Sequence, residues 1–477
     1  MRDIGPRTGG IEDAKQHARE LTAPHPARVG TMSRSVIVVG GGISGHTAAF
    51  RLHQRGAGVT VLDASPDTVG GEMSSVRREG YVFNQASTLI PSSYTQITGL
   101  MQELGIGDKL HGTVGAVTSI PREGRMNRMR VSGAAALIDG LTTPLLSLGA
   151  KLALRRFGAD VVRHGRGLGY ADVAAELDEE SVAQYAQRRL TPEIMAYLVG
   201  PLLRAAYLTE PENLSVLDLL FAVSKFAGDR FVRYDGGMGA LNEAIAARLG
   251  TIMGARAIAV EERGAGVQVT WHKDGVERTS EADACVIAVP APLAAELAPQ
   301  LDPALREILA KRIPYGSVIK ASHALHKRSD DPTTMMSFPH AESAGLAVIT
   351  FDHNYRVNCA PEGKGLIASY WMHDWSVQRM DPEMYDDAAI EREMTPEIAR
   401  FIPGFEHNLA FSHISRWPRA TPVSYAGMWK QVRIFRESVP ANARIQFAGD
   451  YLNIPGTKAA SYSGERAAKR IISWLGL

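Results

Sequence analysis

Gly40, Gly42 and Gly45 stand directly after four consecutive β-branched residues, Val36, Ile37, Val38 and Val39. Such a run reads as a strand buried on both faces, the pattern of a parallel sheet. The residues after Gly45 have helical character as far as Gln54. In a strand–turn–helix unit each glycine has its own task. Gly40 permits the tight turn, Gly42 lets backbone approach a pyrophosphate, and Gly45 allows close helix–strand packing. Ile43 and Ser44 open the helix, whose free N–H groups and partial positive charge suit phosphate. A second strand, residues 59–62, ends in Asp63, 18 residues beyond Gly45, with Ala64 next. A carboxylate near that spacing holds the two hydroxyls of an adenosine ribose. The unit predicts a bound dinucleotide and leaves open which one.

The rest of the composition narrows the field. The chain has 477 residues, 52 Lys and Arg against 51 Asp and Glu, so nothing in its charge points to nucleic acid. Its two cysteines, Cys285 and Cys359, form no CxxC, and the histidines lack ligand spacing. Neither a disulfide framework, a structural zinc nor any other metal site is expected, and the composition fits a reduced, cytoplasmic setting. No apolar run reaches the ~18 residues of a spanning helix. Residues 1–33 carry both charge signs with several Pro and Gly, lack the core of a secretory signal, and are expected to form a disordered extension. Residues 145–166 are apolar and basic, with Lys151, Arg155, Arg156, Arg163 and Arg166. They read either as a membrane-surface helix or as the solvated basic face of a lid, and the second is expected. Residues 172–189 have helical spacing, and Thr191-Pro192-Glu193 is a helix start.

Further motifs make a family resemblance specific. Gly70-Gly71-Glu72, the strand Gly80-Tyr81-Val82-Phe83, Tyr234-Asp235-Gly236-Gly237-Met238-Gly239 and Gly449-Asp450-Tyr451 resemble the flavin-containing amine oxidase and protoporphyrinogen oxidase superfamily. The resemblance covers about residues 34–475. It implies an α/β protein with a Rossmann-like FAD-binding domain and a second, mixed-sheet plus helical substrate domain. The FAD domain would come from residues 34–95, 231–297 and 436–477, the substrate domain from 96–230 and 298–435. Gly70, Gly71, Glu72, Gly449, Asp450, Ala459 and Ala460 would join the first cradle at the cofactor. Glu72 stands where the family usually has an arginine near the pyrophosphate, for which Arg77 or Arg78 would have to substitute. The distant second half decides for FAD over a nicotinamide. The cysteine that bonds flavin in some amine oxidases has no counterpart around Trp417, so FAD is expected to be non-covalent.

Gly316-Ser317-Val318-Ile319-Lys320 is similar to the amine-oxidase segment that places a lysine near flavin N5, which marks Lys320 as the catalytic candidate. Trp371, Trp417 and Tyr425, with His353 and His373, would line the substrate cavity, but the aromatic cage of some amine oxidases looks incomplete here. The leading function implied is oxidation of a C–N bond in an amine or amino-acid-like small molecule, with oxygen or another electron acceptor. The alternatives are C–C or C–H dehydrogenation, as in porphyrinogen oxidation or polyene desaturation, and a non-redox isomerase. The Trp417-to-Tyr425 segment favours dehydrogenation; Lys320 favours the amine branch.

Overall fold

The structure is a computed structural model describing residues 34–112, 116–131, 134–165, 178–226, 229–355 and 357–477. The expected extension at 1–33, Arg166 and the first part of the expected helix at 172–177 lie outside the described residues. Strand β1 (Ser35–Val39), helix α1 (Ile43–Gln54) and strand β2 (Gly58–Leu62) come first. Strands β3 (Val117–Arg122) and β4 (Arg125–Arg130) follow, then helices α2 (Ala134–Thr142), α3 (Leu148–Gly165), α4 (Gly200–Tyr207) and α5 (Val216–Phe226). After them come β5 (Thr251–Ile252), β6 (Ala284–Ile287), β7 (Tyr315–Leu325), β8 (Met335–Ser337), β9 (Leu346–Thr350) and β10 (Gly365–Trp371). Helix α6 (Asp387–Ala399), strands β11 (Leu409–Pro422) and β12 (Ile445–Phe447), and helix α7 (Thr457–Leu475) complete the set used below.

One sheet is wholly parallel, in the order β5-β2-β1-β6-β12. The β-branched run of β1 is its middle strand, with Val36 opposite Val59 on one side and Ala284 on the other. Helices cover it, which is why Val36 through Val39 are all buried. Two glycines set how closely the helices seat. A Cβ on Gly45 would lie 1.9 Å from the Gly40 carbonyl oxygen, and one on Gly464 of α7 would lie 2.1 Å from the Ser44 oxygen of α1. The first and last helices of this sheet therefore touch backbone to backbone.

The other large sheet is mixed, in the order β11-β7-β10-β9-β8-β3-β4, antiparallel except where β8 meets β3. Strand alternation divides the long strand β7 between two environments. Ile319, Ala321 and Leu325 pack with Ile390, Met394 and Ile398 of α6. Val318 and Lys320 point the other way, into a cavity. Helices α3, α4 and α5 close over that cavity with Phe157, Leu202 and Phe221. A wide, five-residue-spaced helical turn at Met195–Val199 leads into α4 and brings Leu198 and Val199 to the cavity wall.

Candidate active site

A single cavity of about 1270 Å³ runs from the glycine turn of the parallel sheet to the mixed sheet. At one end the α1 N-terminus has no side-chain cap, so its first N–H groups remain for a ligand. A Cβ at Gly42 would meet nothing within 4 Å, so the backbone there faces open space. At Gly41 it would strike the Asp63 carboxylate at 2.6 Å. Asp63 is fixed by two backbone donors: Gly41 N donates to Oδ2 and Ser65 N to Oδ1, each at 2.7 Å. Its remaining lone pairs face the cavity, as a ribose-binding carboxylate requires. Beneath the turn, His46 is buried between Asn242 Oδ1 (3.0 Å) and Thr251 Oγ1 (3.1 Å), and burial lowers its pKa. The cradle fits a dinucleotide pyrophosphate.

The segments after β2 and before α7 close the same end. Gly42 bridges to Gly70, whose φ of 109° is the left-handed region that glycine tolerates. Glu72 follows within a short helical turn and lines the cavity. Across it lie Gly449 and Asp450, with Gly449 N held by Ser463 Oγ at 2.8 Å. Burial pushes the Asp450 carboxyl up to about 7 and raises Glu72 well above its ordinary range, the negative charge of Asp450 adding to the latter. Gly456, Thr457 and Ala460 at the start of α7 also line the cavity. Ala459 and Gly45 are buried behind it, where they set packing. Arg77 and Arg78 do not take the place of the missing family arginine. Arg77 pairs with Glu243 and the Gly236 carbonyl, and Arg78 with Glu79, all on the surface.

Lys320 lies at the other end, 1% exposed, and is the sole lysine lining the cavity among the described residues. Its Nζ donates to the Asn84 carbonyl and lies 5.3 Å from the Tyr370 ring centre. Desolvation lowers its pKa to about 7; the acid Asp352 opposes that shift and Arg233 adds to it. Those two form a buried ion pair at 2.8 Å, with Thr350 Oγ1 donating to Asp352 at 2.7 Å and the Arg233 guanidinium over Tyr355. Three successive carbonyls form a rail along the cavity floor. Asn84 O accepts from Lys320, Gln85 O from Trp417 Nε1 (3.0 Å), and Ala86 O from the Tyr370 hydroxyl (3.1 Å).

Of the aromatic residues expected at the substrate pocket, Trp417 lines it. Trp371 does not: it is buried on the opposite face of β10, stacked near Trp375 in the core under α6. The neighbouring Tyr370 takes the cavity position, because side chains one residue apart on a strand face opposite ways. Tyr425 is also elsewhere, its hydroxyl on the Arg312 carbonyl at 3.2 Å. His353 and His373 are spent on backbone groups, the former accepting from Leu366 N at 3.1 Å and the latter from Ser317 N at 2.9 Å. Tyr370 and Arg233 escape the sequence reading, as do the roles of the Asn84 and Gln85 carbonyls, although Asn84 stands where the resembling family often has an aspartate. Their signal was the residue parity of β10 and the end of the Gly-Tyr-x-Phe strand.

The parallel sheet, glycine cradle, ribose acid and mixed sheet flooring a second pocket define a two-domain α/β flavoprotein of the oxidoreductase class. The sequence profile of the flavin-containing amine oxidoreductase family matches residues 43–472, and the chain belongs to that family. The family is flavin-containing, and the cofactor is FAD. No Cys or His lines the cavity among the described residues. Protoporphyrinogen oxidase 2 of Arabidopsis thaliana is 28% identical over 185 residues, 38% of this chain. That match spans only 34% of the plant protein. Coproporphyrinogen III oxidase of Mycobacterium bovis is 25% identical, covering 93% of this chain and 98% of the relative. Putrescine oxidase with putrescine bound shares the fold, with a TM-score of 0.70, 19% identity, and coverage of 93% of this chain and 100% of that one. No helix among the described residues is long and apolar enough to cross a membrane.

Proposed function

We propose that the chain is an FAD-dependent oxidase that removes hydride from the carbon beside a neutral amine nitrogen in a bulky, mostly apolar substrate, with oxygen as the terminal acceptor. Bound FAD supplies the hydride acceptor and passes the electron pair to oxygen. Lys320 carries this reading: a buried amine with a pKa near 7, the sole lysine among the described residues that line a largely apolar pocket. In its neutral form it can accept a proton from the substrate or orient a water toward the imine product. The rail of carbonyls at residues 84–86 fixes Lys320, Trp417 and Tyr370 in relative position, so the pocket floor is preorganised. Ile120, Met129, Phe157, Leu202 and Val348 exclude water and select an uncharged substrate. Of the four arginines that line the cavity, Arg130 is held by Asp139 and Arg416 by Asp387, while Arg256 and Arg419 lie at its exposed margin.

One observation favours C–C or C–H dehydrogenation instead. The cavity floor presents Tyr370 and Trp417 bonded to the main chain rather than a pair of aromatic rings enclosing an amine. An anaerobic panel separates the two readings. Loss of flavin colour with apolar amines, and peroxide on admitting air, is the expected result. Loss of colour only with porphyrinogens or polyenes would establish the second reading, and turnover with no colour change would leave an isomerase.

A further inference from the structure

Helices α2 and α3 separate the cavity from the surface, and their two faces have opposite compositions. The inner face is ordinary: Ala136, Gly140, Leu154 and Phe157 line the cavity. The outer face should be polar throughout for a helix in water, but large apolar side chains interrupt it. Leu148 is 74% exposed and Leu152 58% on α3, and Leu141 is 73% exposed at the end of α2. Ile138 and Val162 extend the same exposed apolar surface. The two helices are tied at this point by Lys151, whose Nζ donates to the Leu141 carbonyl at 2.8 Å, so Leu141 and Leu148 adjoin.

Charge shares this face with the apolar groups. Leu148, Lys151, Leu152, Arg155, Val162 and Arg163 recur at helical spacing along one side of α3, and Arg156 lies at its edge. The acids nearby are already paired: Asp160 with Tyr185 and Arg189, Asp139 with Arg130. Leucines flanked by arginines that have no acid partner among the described residues, on one exposed stripe, suit an interface whose interior is hydrocarbon and whose surface is anionic. A protein partner of acidic character would match the cations and leave the leucines in water.

We infer that the outer face of α2 and α3 docks this protein on an anionic lipid surface, with Leu141, Leu148 and Leu152 entering the headgroup boundary and Arg155, Arg156 and Arg163 on the phosphates. The same helices roof the apolar cavity, so docking would set its wall against the phase in which an apolar substrate dissolves. The inference takes up the membrane-surface reading of residues 145–166 in place of the solvated lid: the basic face is present, and exposed leucines interrupt it.

Co-sedimentation of the holoprotein with phosphatidylcholine vesicles, with and without phosphatidylglycerol, tests this. Binding is expected only with the anionic lipid, and to fall as salt rises. R155Q/R156Q should weaken it about tenfold, and L148S/L152S by a similar factor. All four positions are exposed, so flavin content should stay at the wild-type level and report an intact fold. No binding to anionic vesicles, or binding indifferent to both double variants, would overturn the inference. So would sedimentation velocity showing a self-associated species that L148S/L152S dissolves, because the face would then join two copies of the chain.

Discussion

The two ends of the cavity are built by different means. At the cofactor end the ligand-facing groups are backbone: the turn at Gly40 to Gly45, the bridge from Gly42 to Gly70, and the entry to α7 at Gly456. At the substrate end they are side chains, Lys320, Tyr370 and Trp417, each anchored on the rail of carbonyls at residues 84–86. A site made of backbone tolerates almost no added atoms and holds one ligand. A site made of side chains can be altered one residue at a time without dismantling the fold, which is how one scaffold serves many substrates.

The most severe way to break this comparison is to add atoms at the backbone end. Gly45→Val should abolish flavin binding and folding together, read as loss of flavin absorbance in the soluble fraction. Its Cβ would sit 1.9 Å from a main-chain oxygen that cannot move. At the side-chain end, Lys320→Met should retain FAD and the fold while slowing flavin reduction by about a hundredfold or more. In the wild type that rate should rise with pH through about 7, as Lys320 loses its proton, and the variant should lack this limb.

Glu72 sharpens the comparison, because it is a side chain placed in the backbone end. Burial and the charge of Asp450 raise its pKa, and a pyrophosphate bound beside it would favour the protonated form further. FAD binding should then take up a proton, so the dissociation constant rises with pH. Titration of the apoprotein by flavin fluorescence should show this slope, and Glu72→Gln should flatten it. A slope unchanged by the substitution would assign the proton to Asp450.

The mildest test uses the pair on β10. Tyr370→Phe removes the hydroxyl from the Ala86 carbonyl and should change substrate KM with little change in melting temperature. Trp371→Phe should do the reverse, losing about 1–2 kcal/mol of stability with KM intact. Equal effects of both on KM would erase the distinction between the two faces of the strand.

The same contrast explains what could be read from the amino acids alone. Gly40, Gly42, Gly45 and Asp63 were legible because a phosphate cradle needs particular residues at particular spacings; Gly40, Gly42 and Asp63 line one opening and Gly45 packs behind it. Lys320 was legible only through its likeness to a family segment. Trp371 was chosen and Tyr370 overlooked because both are aromatic on one buried strand, and only the register against β7 and β9 decides which faces the cavity. Tyr425 lies past the end of β11, where the chain has turned away from the sheet. The rail of carbonyls has no side-chain signature at all. The sequence left residues 145–166 between a membrane-surface helix and a solvated lid, and only burial shows that Leu148 and Leu152 face outward while Leu154 lines the cavity.

The backbone contact between Gly464 and Ser44 has a consequence for how the protein is made. Helix α1 emerges early from the ribosome, and its packing partner α7 is translated some four hundred residues later. Strand β12 arrives almost as late. Until then β6 has an open edge, α1 has a bare side, and the opening for FAD lacks one wall. A nascent chain therefore cannot load cofactor progressively as it grows. Flavin capture has to wait for residues 445–475, and a stop codon just before them should yield a colourless product however much of the rest has folded.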